Sequence, residues 1–438
     1  MGETADLARF VEAYDYTNLP DEVAHAAKRD VINILACALY SARDPSLAIL
    51  LSLFDAEGGN ERARIWGSGR RTTLQNAALA NGYLAHLEDY DDTHFPTVIH
   101  PSAPTVPAAF ALAEARQRSG REFLAAVALG VEACCRISLA VHPWHYDAGW
   151  HITGTMGVFG GAVAAAKLAG LGRAQIVASL GIAGSQAAGV REAFGSMTKP
   201  LHAGNAARAG VVAALLAEAG FTSAERILEG RRGVGAVLSS DRDLSRVTDG
   251  LGERWEMLNN GLKPYACGVV NHPLIDACID LRESDGFRLD AIESIEADVH
   301  PLVLELVDLA EPHVGLQGKF SVQHCVAVAL RDGAAYPAQF SDARVQDPAI
   351  AALRRKVRLI RDEALKEDEA IVRIVSAGRR FEKHVSHATG APENPMSDAH
   401  LSEKFLTLAT ATLSRPDAEA LLARLWRLED ESEVTALL

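Results

Sequence analysis

The run Asn81-Gly-Tyr-Leu-Ala-His-Leu-Glu-Asp-Tyr-Asp-Asp-Thr-His-Phe-Pro-Thr-Val-Ile-His-Pro-Ser102 gathers His86, Asp89, Asp91, Asp92, His94 and His100 in one short stretch. Three chemistries fit such a cluster. It could be a solvated acidic turn with structural histidines. It could hold a divalent cation, since Asp and His are suitable ligands, although no HExxH or other fixed ligand spacing is present. Or it could do acid–base work: an imidazole exchanges protons near neutral pH, and a neighbouring carboxylate fixes its tautomer. The third reading is favoured, because complementary residues occur elsewhere in the chain.

Gly149-Trp-His-Ile-Thr-Gly-Thr-Met-Gly157 places His151 just before glycine-rich helical sequence, where free N–H groups and the helix dipole favour anions. Thr198-Lys-Pro-Leu-His-Ala-Gly-Asn-Ala-Ala207 carries Lys199 and His202. Gly261-Leu-Lys-Pro-Tyr-Ala-Cys-Gly-Val-Val-Asn-His-Pro273 carries Lys263 and His272. Each segment is weak alone. Two Lys-Pro elements in a chain of net charge −14, together with His100 and His151, suggest a cationic pocket built for carboxylates.

The elements that must hold these residues are mostly helices. Apolar residues at three- and four-residue spacing predict a helix from Asp21 through Leu35, and others over 74–87, 107–116, 123–140, 154–170, 174–184 and 206–219. Thr222 with Glu225 reads as a capping box for a further helix through Leu228. Beyond about Asn260 the texture changes. Alternating runs predict strands over 294–300, 356–361, 371–375 and 381–385, with helices over 322–330 and 350–355. Ser397 then caps a final helical run over 400–411 and 418–426. The expected fold is mainly α: a large all-helical domain (1–260), an inserted smaller α+β lid domain (261–396), and C-terminal helices (397–438) returning to the helical domain.

Composition narrows the function. The net negative charge argues against nucleic acid and anionic membrane as partners. The six cysteines show no CxxC or Cys/His spacing and are expected to be reduced, buried thiols. The N-terminus, MGETADLARF, lacks an apolar signal core, so a cytoplasmic location is expected. The most membrane-like stretch, 157–172, is expected to be too short and too weakly apolar to span a bilayer.

Taken together, these segments resemble the MmgE/PrpD family. Asp89-Tyr-Asp-Asp-Thr93, His100-Pro-Ser, Gly149-Trp-His, Lys199-Pro-Leu-His202, Lys263…His272, Lys319-Phe-Ser-Val-Gln-His324 and Asp347-Pro-Ala-Ile350 fall in family order. The resemblance implies a homodimer, a site between a helical domain and an α+β lid, a small polycarboxylate substrate, and no metal or other cofactor. The implied chemistry is proton movement at carbon next to a carboxylate, with His100 and His151 as acid and base and Lys199 and Lys263 stabilising developing charge. Asp89, Thr93, His202, His272 and His324 would contact or orient the substrate, His324 standing where some members have Tyr. Dehydration of a 2-methylcitrate-like hydroxy-polycarboxylate is the leading expectation. Epimerisation of an iminodisuccinate-like compound and cis-aconitate-type decarboxylation are the alternatives. A non-catalytic binding protein on the same fold is the reading from a different class.

Overall fold

The computed structural model describes residues 2–437. The fold is mainly α, and the chain divides into two compact units. One comprises residues up to Leu87, Asp91–Asn260 and Ser397 onward; the other comprises Glu88–Tyr90 and Gly261–Met396. The three-residue turn Glu88–Tyr90 was expected within the helical domain, but it counts with the second unit, where Lys319 bonds the Glu88 carboxylate and Lys263 bonds Asp89.

In the first unit the central helices are Leu74–Leu87, Ser102–Arg116, Gly120–Val141, Ile152–Ala169 and Thr198–Glu218. Helix Thr198–Glu218 packs on both Ile152–Ala169 and Leu74–Leu87. Glycine makes these contacts possible. A Cβ on Gly82 would lie 2.9 Å from the Gly204 Cα, and one on Gly204 would lie 2.4 Å from the Leu79 carbonyl oxygen. A Cβ on Gly210 would lie 2.4 Å from the Gly161 carbonyl carbon. The helices therefore touch backbone to backbone, closer than side chains would allow.

Several helix starts differ from expectation. Ser102–Arg116 begins five residues early despite Pro104 and Pro107, and Thr198–Glu218 begins eight residues early despite Pro200. Pro104 and Pro200 are each the third helical residue, where the backbone N–H has no intrahelical acceptor to lose. The predicted helix at Thr222–Leu228 is absent: residues 225–229 form turns, and the Leu228 N–H donates to Thr4 Oγ1 instead. Nor is the first unit wholly helical. Strands Ala63–Ile65 and Arg70–Thr72 pair antiparallel, anchored by the Glu114 carboxylate on the Arg64 N–H and by Asn81 on the Arg64 carbonyl.

The membrane expectation also needs correction. Gly120–Val141 and Ile152–Ala169 are each long and apolar enough to cross a bilayer by length and composition. Their most apolar windows are 94% and 89% buried against the rest of the protein. Their apolar surface is taken up by neighbouring helices such as Ser102–Arg116, so hydropathy here reflects a helical core.

The second unit carries a sheet ordered Val357–Arg361, Ile292–Val299, Ala370–Ser376, Arg379–Val385. The first pair is parallel and the other two antiparallel. Residues 370, 372, 374 and 376 are buried and those between them only partly so, which places one face inward. Helix His272–Arg282 packs against that sheet and against helix Val322–Asp332. The last hairpin turns through Ala377 and Gly378, both at positive φ, as a two-residue primed turn requires.

Candidate active site

Three helices of the first unit deliver its candidate residues. His86 ends Leu74–Leu87, one turn beyond the Gly82 contact. His151 is the residue immediately before Ile152–Ala169. Lys199 and His202 lie in the first turns of Thr198–Glu218. His100 arrives from the preceding loop, its backbone N–H donating to Thr153 Oγ1 at 3.1 Å.

Two linked groups result. In the first, Asp91 Oδ2 lies 2.8 Å from His86 Nδ1 and 3.4 Å from His100 Nδ1. Thr93 Oγ1 is 3.5 Å from the same His100 nitrogen. In the second, His151 Nδ1 and His202 Nδ1 are 2.9 Å apart, so one must donate and the other accept. The His86 ring stacks nearly parallel on His151, with centroids 5.7 Å apart and planes at 19°. Phe194 packs edge-on against His151, and the Lys199 ammonium lies 5.5 Å from the centre of the Phe194 ring.

Burial disfavours the charged form of His86, His151 and His202. Burial pulls His86 down to about 4, with the Asp91 charge opposing and Lys199 assisting the shift. Burial, then His86, Lys199 and His202, hold His151 well below the ordinary histidine range. Burial and Lys199 lower His202 as well. Burial alone would raise Asp91, yet the adjacent His86 and His100 rings hold it well below the usual carboxylate range. The site thus combines one buried carboxylate, one buried lysine and imidazoles that can give or take a proton. The ligand atoms of His86, Asp91 and His100 lie within 4.8 Å of one another, so the trio also has the donor set for a cation.

Asp89 is paired with a lysine. It sits at φ 52° and accepts from Lys263 Nζ at 2.9 Å, while its carbonyl accepts from the same ammonium at 3.0 Å. Asp91, two residues on, is a carboxylate beside His86 and His100. Lys263 is therefore a neutralised charge rather than a spare cation. His272 opens helix His272–Arg282, its buried Nε2 without a hydrogen-bond partner, and its ring lies edge-on to Tyr265.

Cys267 was missed. Burial would raise its thiol, but hydrogen bonds from Cys325 and His272 and the charge of Lys263 bring it down to about 6. It is nonetheless the reduced, buried thiol that was expected, and it stands five residues before His272. All six cysteines are buried and none is in a disulfide among the described residues. His324 lies on helix Val322–Asp332 of the second unit. Its Nε2 lies 2.9 Å from the Gln339 carbonyl, its ring packs on Phe340, and burial pulls it down to about 4.

A buried carboxylate and imidazoles beside a lysine are the kinds of group that proton transfer uses. The chain belongs to the MmgE/PrpD family: the MmgE/PrpD N-terminal domain matches residues 5–247 and the MmgE/PrpD C-terminal domain matches residues 265–429. Among its curated relatives is a cis-aconitate decarboxylase of Aspergillus terreus, 27% identical over 100% of this chain and 96% of that protein. A cis-aconitate decarboxylase of Homo sapiens is 27% identical over 99% of this chain and 93% of its own, and that of Mus musculus is 26% identical over 99% and 92%. These relatives are lyases.

Proposed function

We propose that this chain is a lyase that moves a proton at a carbon next to a carboxylate of a small polycarboxylate. The observation that carries this reading is the pair of separately held imidazoles, His100 against Asp91 and His151 against His202, beside the buried Lys199. A proton next to a carboxylate is weakly acidic, and its removal spreads negative charge onto the carboxylate oxygens. A preorganised ammonium in a dry site stabilises that charge far better than water does. Lys199 suits this role, and Lys263, already answered by Asp89, suits it less.

Dehydration of a 2-methylcitrate-like hydroxy acid needs a base for the C–H proton and an acid for the departing hydroxyl. Two imidazoles with independent partners supply both functions. Decarboxylation of a cis-aconitate-like substrate needs only one of them, to protonate the carbanion left by loss of carbon dioxide. This second reading is supported by the names of the relatives.

The test is incubation with hydroxy-tricarboxylates and cis-aconitate in deuterated water, followed by NMR. Loss of water, loss of carbon dioxide and solvent exchange give distinct products. Exchange or elimination with at least one substrate is expected, while none with any of them sinks the proposal. His151→Gln and Lys199→Met are each expected to lower kcat by about 100- to 10,000-fold in a folded protein. Wild-type turnover in either variant removes that residue from the mechanism.

A further inference from the structure

We infer that His145 is a positioning residue for His151: the Leu238 carbonyl holds its ring as the Nδ1–H tautomer, its Nε2 receives the Thr155 hydroxyl, and the ring braces the residues on both sides of His151. The effect on rate rests on the proton-transfer reading above; the tautomer itself does not.

Both ring nitrogens of His145 have a partner at hydrogen-bond distance. Nδ1 lies 2.8 Å from the Leu238 carbonyl oxygen, and Nε2 lies 2.7 Å from Thr155 Oγ1. A carbonyl oxygen only accepts, so Nδ1 carries hydrogen. The ring is wholly buried, and burial disfavours its charged form, with the Leu238 carbonyl opposing. A neutral ring with hydrogen on Nδ1 has its lone pair at Nε2, so the Thr155 hydroxyl donates to it. That bond is shorter than the other approaches of the same hydroxyl, 3.3 Å to the His151 carbonyl and 3.4 Å to the Ile152 carbonyl.

These contacts bracket His151. Thr155 lies in the first turn of Ile152–Ala169, and its backbone N–H donates to the His151 carbonyl at 3.1 Å. On the other side, the Trp150 ring stacks on His145, with centroids 5.8 Å apart and planes at 3°. The Trp150 N–H also donates to the His145 carbonyl at 3.3 Å. Leu238 ends the short helix Val234–Leu238, which packs on Gly120–Val141, so the imidazole is tied to the helical core. One ring thus fixes the residue before His151 and the turn after it. Small displacements of a reacting group lower rates steeply, so this bracing bears on catalysis without His145 meeting the substrate.

Imidazole nitrogen-15 NMR at pH 7 on the ligand-free protein tests the tautomer. The signal is assigned by its loss in His145→Leu or, should that variant not fold, by its change in the isosteric Thr155→Val. His145 is expected neutral with hydrogen on Nδ1; an Nε2–H form or a charged ring overturns the inference. Thr155→Val should move the Nε2 resonance and leave the Nδ1 hydrogen in place, and an unmoved Nε2 resonance overturns the Thr155 bond. Thr155→Val and His145→Leu are each expected to lower kcat by about 10- to 100-fold with KM within a few-fold. His145→Gln, whose amide oxygen can accept from Thr155, should recover most of that loss. A glutamine variant no better than the leucine variant, or wild-type kcat in Thr155→Val, overturns the positioning role. If wild-type protein turns over no polycarboxylate, the proposed function fails, while the NMR readout still decides the tautomer.

Discussion

Asp89 and Asp91 are two residues apart and do different work, and the cause is one backbone angle. The helix ends at Leu87, and Asp89 adopts φ 52°, a conformation that Asn and Asp tolerate better than most residues. Asp89 meets Lys263, whereas Asp91 meets His86 and His100. Asp89 and Lys263 are both buried, so neutralising one removes a charged partner of the other. Asp89→Asn, which suits the same backbone angle, is expected to destabilise the protein by about 3–5 kcal/mol. The double variant Asp89→Asn/Lys263→Met should recover part of that loss in urea denaturation; a double variant no more stable than the single would show that the pair carries no coupling. At this scale the sequence was a partial guide. His100, His151, Lys199 and His202 were legible because each stood beside a helix start or a proline. The contact of Asp91 with His86 was not, since alternating carboxylates give no hint of which one a turn sends which way.

At the scale of elements, side chains of the first unit are placed by bare backbone contacts. Gly204 follows His202 by two residues, and Gly154 lies three beyond His151, where an added Cβ would come within 2.9 Å of the His202 Cβ. Gly204→Ala would push a methyl group to 2.4 Å from the Leu79 carbonyl oxygen, which is backbone and cannot swing aside. It is expected to cost roughly 1–3 kcal/mol from overpacking, seen as a lower melting temperature, with kcat falling as the histidines move apart. An unchanged melting temperature would mean that the helices separate freely. Helix existence was readable from apolar spacing, as Leu74–Leu87 shows, since its expected and observed bounds coincide. Helix starts were less so: these helices begin ahead of Pro104 and Pro200, since a first-turn proline sacrifices no hydrogen bond. The false capping box at Thr222 and Glu225 shows the converse: local capping chemistry cannot make a helix where long-range partners, here Thr4, claim the backbone.

Across the whole molecule, buried neutral histidines link stability to pH. His86 and His324 are each lowered from 6.5 to about 4 by burial, and His142 likewise. A lowered histidine binds its proton more readily in the unfolded chain, so the folded state loses stability as pH falls from about 6.5 towards 4. For a group like His86 the full difference between 6.5 and about 4 is on the order of 3 kcal/mol. Thermal melts at pH 7 and pH 5 should show the lower transition at pH 5, and His324→Gln should reduce that difference; identical melts at both pH values would contradict the buried neutral state. Family membership was legible from the ordered motifs, but the net reaction was not, since one pair of imidazoles and a lysine serve elimination and decarboxylation alike. The glycine-lined helix crossings bear on how such specificity could diverge. Bulk cannot be added along those seams without moving the whole catalytic array at once, so they are a poor place to look for, or engineer, altered selectivity. The connecting segments Phe95–Ile99 and Arg191–Met197, joined to His100 and Lys199 but outside the seams, are where a changed substrate preference can arise one residue at a time.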